Sequence, residues 1–312
     1  MTKRVVFGLA MIVFMASLLL ADWWLTRDVL SVFTVRWEAA PDAPLSFRAI
    51  PTGILLAVLV IMGFVEMRRL CAAAGVQVLP VSGLICSALL ATLPCWWQVF
   101  DLAEEKFPLK GILGDKLPAE GKLLVVGLMV MAVFGEQMIR RSTADALRRI
   151  ACTLLAVAYL GIGGALMMAI RIQFNLPALV LFLVAVKFMD IGAYFIGSAI
   201  GRHKLIPWLS PGKTWEGLAG GLVVAAGMGV LVACALKVQL GDAPLPLKRA
   251  GVFGAAVGLV GQFGDLCESL LKRATAVKDS GHLLPEYGGV LDLLDSPLLA
   301  APVGYLLLCL MA

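Results

Sequence analysis

The residues whose types and spacing could do chemistry crowd into one stretch, 176–296. Its later part reads Gly264, Asp265, Leu266, Cys267, Glu268, Ser269, Leu270, Leu271, Lys272, Arg273, and continues through Lys278, Asp279, Pro285, Glu286, Tyr287, Gly288, Gly289, Asp292 and Asp295. Several carboxylates beside a glycine pair and a set of cations are what a divalent metal and a polyphosphate together require. Mg2+ takes hard oxygen ligands and bridges phosphate oxygens, while Lys and Arg neutralise the charge that is left. Asp292 and Asp295 are three apart and can share one helical face, with Asp265 arriving from another helix. A solvated acidic helix end is the plainer alternative.

A second polar segment, 201–217, contains Ser210, Gly212, Lys213 and Thr214. The Gly-Lys-Thr run resembles the end of a phosphate-binding P-loop, but the glycine which that motif needs five positions earlier is Pro207. It is not a P-loop. A Lys and a hydroxyl just ahead of a helix still suit phosphate, and an N-capping Thr214 followed by a solvated Lys is the alternative. Between these polar segments and the apolar helices, Lys187 and Asp190 lie three apart on one helical face. Charges placed so deep are costly and face either each other or a cavity. Gly217, Gly220 and Gly221 open the next helix, and the Gly217-x-x-x-Gly221 spacing suits close helix packing, within the chain or between two copies of it.

These residues must be held by helices that face lipid. Of the 312 residues 61% are apolar and 15% charged, and the mean hydropathy is +0.94, far from the quarter or so of charged residues that a water-facing surface needs. Nine apolar runs approach the ~17–25 residues that a membrane-crossing helix takes: 5–21, 50–65, 79–100, 123–139, 150–170, 176–200, 218–236, 250–266 and 298–312. The expected fold is therefore all-α, a polytopic integral membrane protein of about nine spans. The first run lacks a small-x-small cleavage site and reads as an uncleaved helix. Residues 1–175 read as plain amino-terminal helices, and 176–312 as the catalytic region, with loops 201–217 and 272–296 on one face.

With the amino terminus taken as cytoplasmic, the inner loops hold 14 Lys and Arg and the outer loops 11, so both polar loops are expected on the cytoplasmic side. The seven cysteines form no CxxC pair and read as small apolar residues. Only His203 and His282 are present, so zinc held by His and Cys has almost no ligands. The net charge of +5 is no sign of nucleic-acid binding.

The stretch from Asp190 to Pro297, about a third of the chain, resembles the phosphatidate cytidylyltransferases, the CDP-diacylglycerol synthases. The matching positions are Ser269, Lys272, Arg273, Lys278, Asp279, Pro285, Gly288, Gly289, Asp292 and Asp295, together with Asp190 to Gly197 and 210–217. Two positions depart from the pattern: Tyr287 stands for a His, and Leu293 for an Arg. The resemblance implies transfer of CMP from CTP to phosphatidic acid, with release of pyrophosphate. It implies that Asp265 and Asp292 hold Mg2+ with help from Asp295 or Glu268, beside a second, monovalent cation such as K+. Lys213, Lys272, Arg273 and Lys278 would then bind phosphates. Ser210, Thr214, Ser269, Asp279, Gly288, Gly289 and Asp190 would complete the substrate site. A bacterial inner membrane with the active site facing the cytoplasm is the expected location. Another lipid phosphate, of isoprenoid or ether type, or a catalytically silent scaffold, are the competing expectations.

Overall fold

The structure, a computed structural model, describes residues 49–98, 117–241, 243–275, 277, 281 and 289–312. Besides a short helical stretch over 93–98, the longer helices among them are α1 (Ile50–Ala73), α2 (Pro80–Ala91), α3 (Leu117–Ile139), α4 (Ala146–Gln173), α5 (Leu176–Ile200), α6 (Trp215–Ala235), α7 (Leu247–Ala274) and α8 (Leu291–Met311). All but α2 are long and apolar enough to cross a membrane, and the chain is an integral membrane protein of all-α class. The expected run 5–21 lies outside the described residues.

Where the helices differ from the apolar runs, backbone chemistry explains it. The run 79–100 is divided into the 12-residue α2, by itself too short for ~30 Å of hydrocarbon, and a helical stretch over 93–98. Its ladder breaks at Thr92, because Pro94 has no N–H to return to Leu90. Helix α7 continues eight residues beyond the expected end, to Ala274, where Lys272 and Arg273 sit favourably against the negative end of the helix dipole. Helix α8 starts at Leu291, not Leu298, so Asp292 and Asp295 belong to its first two turns. Both ends of the polar loop expected over 272–296 are thus helical, as far as Ala274 and from Leu291 onward. The loop 201–217 is partly regular: β1 (Lys204–Ile206) and β2 (Ser210–Thr214) form an antiparallel hairpin that runs straight into α6.

Helices α5, α6 and α7 pack backbone to backbone. A Cβ on Gly221 would stand 2.8 Å from the Met189 carbonyl, and one on Gly217 2.7 Å from the Ala193 carbonyl. The Gly217-x-x-x-Gly221 face is therefore used against α5 of the same chain. Helix α8 lies on α7 where a Cβ on Gly264 would meet the Asp295 carbonyl at 2.9 Å. One buried cluster joins Phe64, Leu160 and Met168 to Phe182, Phe253 and Leu298, so the turn between α4 and α5, where the expected boundary at 175 falls, does not divide the core.

Two side chains set the starts of the site-bearing helices. Asn175 accepts a hydrogen bond from the Ala178 N–H at 3.0 Å and caps α5, and Thr214 accepts from the Gly217 N–H at 3.1 Å and caps α6. The end of α5, the start of α6, the end of α7 and the start of α8 consequently meet at one end of the bundle. Helix α1 ends there too, joined to α8 through Glu66.

Candidate active site

The hairpin delivers Lys213. Register pairs Lys204 with Thr214 and Ile206 with Ser210, and Thr214, almost fully buried, is committed to its capping bond. Lys213 turns inward, its ammonium 2.6 Å from Asp265 Oδ2 and donating to the Gln262 carbonyl at 3.3 Å. Of the two readings of Gly212-Lys213-Thr214, the Thr is the N-cap but the Lys is not solvated. A cavity of about 450 Å³ opens here between α5, the hairpin and α7, lined by Asp190, Tyr194, Ser198, Lys204, Lys213 and Asp265. Glycines 197, 201, 212 and 217 make part of its wall, which exposes backbone that a side chain would cover.

Deeper in, α7 and α8 bring their acids together. Asp265, Glu268 and Asp295 each present an oxygen within 4.8 Å of the others. Asp265 and Glu268 share a face of α7 by their i, i+3 spacing, and Asp295 comes from α8 at the Gly264 crossing. Lys272, one turn beyond Glu268, reaches Glu268 Oε2 at 2.7 Å and also pairs with Asp292. The other Asp292 oxygen accepts from the Gly289 N–H at 2.5 Å. Asp292 is thus engaged by Lys272 and the backbone, beside the trio and not one of its members. Asp190 and Lys187 lie within electrostatic reach of this group, with Asp265 and Lys213 acting on Asp190 and Lys187 on Asp295.

The charges do not balance. Asp190, Asp265, Glu268, Asp292 and Asp295 face Lys187, Lys213 and Lys272, so when ionised the group carries two negative charges in excess among the described residues. Glu268 is 1% and Asp295 3% exposed, and Glu268 Oε1 is buried with no hydrogen-bond partner among the described residues. A bare carboxylate oxygen so placed is costly unless something positive meets it.

Other expected site residues are spread around this centre. Ser210 opens β2 opposite Ile206 and is not among the residues that line the cavity. Ser269 is half-buried on α7 and enters none of the contacts above. Arg273 Nε donates to the Leu209 carbonyl at 3.4 Å and ties the end of α7 to the hairpin turn. Gly289 is buried at the start of α8, and Leu293 is half-buried on it. Lys278, Asp279, Tyr287 and Gly288 lie outside the described residues.

Sequence reasoning missed four contributors. Gln262 gives its carbonyl to Lys213. Glu216 accepts from the Arg202 and His203 N–H groups at 3.1 and 3.2 Å and pairs with His203 Nδ1 at 2.6 Å, pinning the hairpin to α6. Tyr159 belongs to the π-helical turn Ala158–Ile162 within α4, a geometry common near functional sites. Its hydroxyl is buried, without a hydrogen-bond partner among the described residues, in the electrostatic reach of Asp295, Glu268 and Asp265. Glu66 on α1 bonds the start of α8. Only Glu66 carried a signal: a lone carboxylate just past an apolar run.

Known proteins share this sequence pattern. The chain is similar to the phosphatidate cytidylyltransferase of Bacillus subtilis strain 168, with 41% identity over 138 residues, 44% of this chain and 49% of that protein. It is similar to the phosphatidate cytidylyltransferase of Staphylococcus saprophyticus, with 38% identity over 155 residues, 50% of this chain and 57% of that protein. The uncharacterized protein YnbB of Escherichia coli K12 is 42% identical over 126 residues, 40% of each chain. The chain spans about half the length of the curated relatives it matches. The sequence pattern of the cytidylyltransferase family, by contrast, matches residues 2–311, and the chain belongs to that family.

Proposed function

We propose that the protein transfers CMP from CTP to phosphatidic acid, giving CDP-diacylglycerol and pyrophosphate. An oxygen of the lipid phosphate attacks the α-phosphorus of CTP, and the bond to the β-phosphate oxygen breaks as pyrophosphate leaves. A phosphate monoester with its second pKa near ~6 is mostly dianionic at neutral pH, so the nucleophile needs no dedicated base. What the protein must supply is position and neutralising charge. The observation that carries this reading is the pairing of a glycine-walled cavity containing Lys213 with the over-acidic cluster behind it.

The donor set fits a hard divalent cation such as Mg2+. Asp265, Glu268 and Asp295 would hold it, since they bring three carboxylate oxygens within 4.8 Å of one another. Bound there, the metal would neutralise phosphate charge and screen the leaving pyrophosphate. Lys213 would pass from Asp265 to a phosphate oxygen, and Lys272 would hold Glu268 and Asp292 in place. The K+ expected as a second cation would draw on oxygen donors of the cavity lining, Asp190 among them.

The reading includes an orientation. Counted over all loops, the side that carries the site holds 14 Lys and Arg and the other side 11. Such a bias marks the cytoplasmic side, where CTP is found, in a bacterial inner membrane.

The test is incorporation of labelled CTP into extractable lipid by the purified protein, with phosphatidic acid and Mg2+, against a chelator control. Metal-dependent label in lipid, lost about 100-fold or more in Asp265→Asn with membrane insertion intact, is the expected result. Label only with an isoprenoid or ether-lipid phosphate would move the substrate assignment. Neither label nor CTP binding would overturn the reading in favour of a silent scaffold.

A further inference from the structure

The first half of the chain reads in sequence as plain apolar helices, yet α1 sends one carboxylate into the active end. Glu66 is fully buried (0% exposed). One of its oxygens accepts from the Val290 N–H at 3.0 Å, the other from the Leu291 N–H at 2.7 Å, across 224 and 225 residues of chain. These N–H groups open α8. The first amides of any helix have no partner within it, and the Val290 side chain cannot supply one. Asp292 takes the Gly289 N–H, so three consecutive amides end on two carboxylates, one of them foreign to the helix.

The fit is close on every side. Gly281 lies so near that a Cβ there would collide with the Glu66 carboxylate, and a Cβ on Gly63, one turn earlier, would meet Leu291 and Leu294 at 3.9 Å. Glu66 therefore touches the connection between α7 and α8 at two separate points. A buried carboxylate is a costly way to make a cap, because a serine or an amide would accept the same bonds without a charge to desolvate. A charged acceptor makes stronger bonds and opposes the positive end of the helix dipole. What it fixes is the register of α8, and with it the distance of Asp292 from Lys272 and of Asp295 from Glu268 and Asp265.

We propose that Glu66 is a positioning residue: its two-oxygen clamp on the start of α8 sets the carboxylate geometry that receives the divalent cation. The proposal rests on the cytidylyl-transfer reading for its catalytic consequence and on the hydrogen bonds alone for the clamp.

The test uses the full chain in detergent, with Glu66→Ala and Glu66→Gln. Hydrogen exchange is measured across α8 without and with Mg2+, followed by Mg2+ titration of cytidylyl transfer. In Glu66→Ala the amides of 290–291 should exchange at least about tenfold faster while α5 and α6 keep their protection. The Mg2+ concentration for protection of 292–296 and for half-maximal activity should rise about tenfold or more, with kcat/KM for CTP falling more than the folded fraction does. Glu66→Gln keeps a carbonyl acceptor and should lie between the two. If Glu66→Ala does not accumulate folded, the same readouts on Glu66→Gln decide. Unchanged exchange at 290–291 would overturn the clamp. Faster exchange with unchanged Mg2+ dependence would make Glu66 a structural cap only and overturn the positioning role. A wild-type protein with normal 290–291 protection but no transfer would overturn the cytidylyl-transfer reading and leave the clamp standing.

Discussion

Lys272 pairs with two carboxylates at once, Glu268 on its own helix and Asp292 on the next, and its stem is largely enclosed. Removing one partner from a buried ionic group costs more than removing the group, because the remaining charges stay desolvated. Lys272→Met should lower stability by about 3 kcal/mol, while adding Glu268→Gln should recover about 1–2 kcal/mol of it as coupling. The apparent unfolding midpoint of the two variants in one detergent checks this; a double variant less stable than the single would show that Lys272 does not hold Glu268. The sequence made Asp265, Lys213 and Lys272 legible because charge in an apolar setting is rare enough to be conspicuous. It could not show that Asp292 faces Lys272 while Asp295 joins Asp265 and Glu268, since both share an i, i+3 face and the choice depends on where α7 crosses α8. Gln262 was illegible for a different reason: it contributes a backbone carbonyl, which every residue has.

At the scale of elements, two glycine contacts decide how near the hairpin comes to α5. Gly221 and Gly217 let α6 rest on the α5 backbone, and a Cβ on Gly197 would meet the Thr214 hydroxyl at 2.9 Å, so the spacing of the two helices also places the capping Thr214 next to Lys213. Gly221→Val should cost about 1–3 kcal/mol of overpacking and reduce transfer activity by displacing the start of α6. Gly227→Ala is the control: no atom lies within 4 Å of a Cβ there, and in a helix interior the exchange should stabilise by up to ~1 kcal/mol. Equal effects of the two on the midpoint would mean that α5 and α6 do not pack through this face. The Gly-x-x-x-Gly spacing could be read in the sequence, but not its partner, because an intrachain neighbour and a second copy offer the same apolar face. The starts and ends of α7 and α8 were misplaced because a scan for apolar runs drops charged turns, and here the charged turns are helical and face the site. The π-helical turn that carries Tyr159 leaves no mark in the apolar pattern, for a single wide turn shifts the register without changing which residues are apolar.

At the scale of the whole molecule, a reaction that joins a water-soluble nucleotide to a lipid phosphate must sit where the two phases meet. The site lies at the helix ends and not at mid-bundle: Lys213 and Lys204 are on the hairpin, Lys272 is in the last turn of α7, and Asp292 is in the first turn of α8. The proposed orientation takes that end as cytoplasmic, on the 14-to-11 division of Lys and Arg over the loops. The composition alone announces a membrane protein, whereas the cation difference over all loops is small, 14 against 11. The orientation has a direct check. In a variant with the seven native cysteines replaced, Lys204→Cys on the hairpin and Lys248→Cys at the start of α7 place single thiols on exposed positions at opposite ends. A membrane-impermeant thiol reagent applied to intact cells should label the Lys248→Cys protein and leave the Lys204→Cys protein untouched until the inner membrane is opened. The reverse pattern would put the Lys213 cavity outside, where no CTP is supplied, and overturn the proposed orientation. Because the hairpin, the acidic cluster and the Glu66 clamp all lie at the same end, that one result would move the entire site with it.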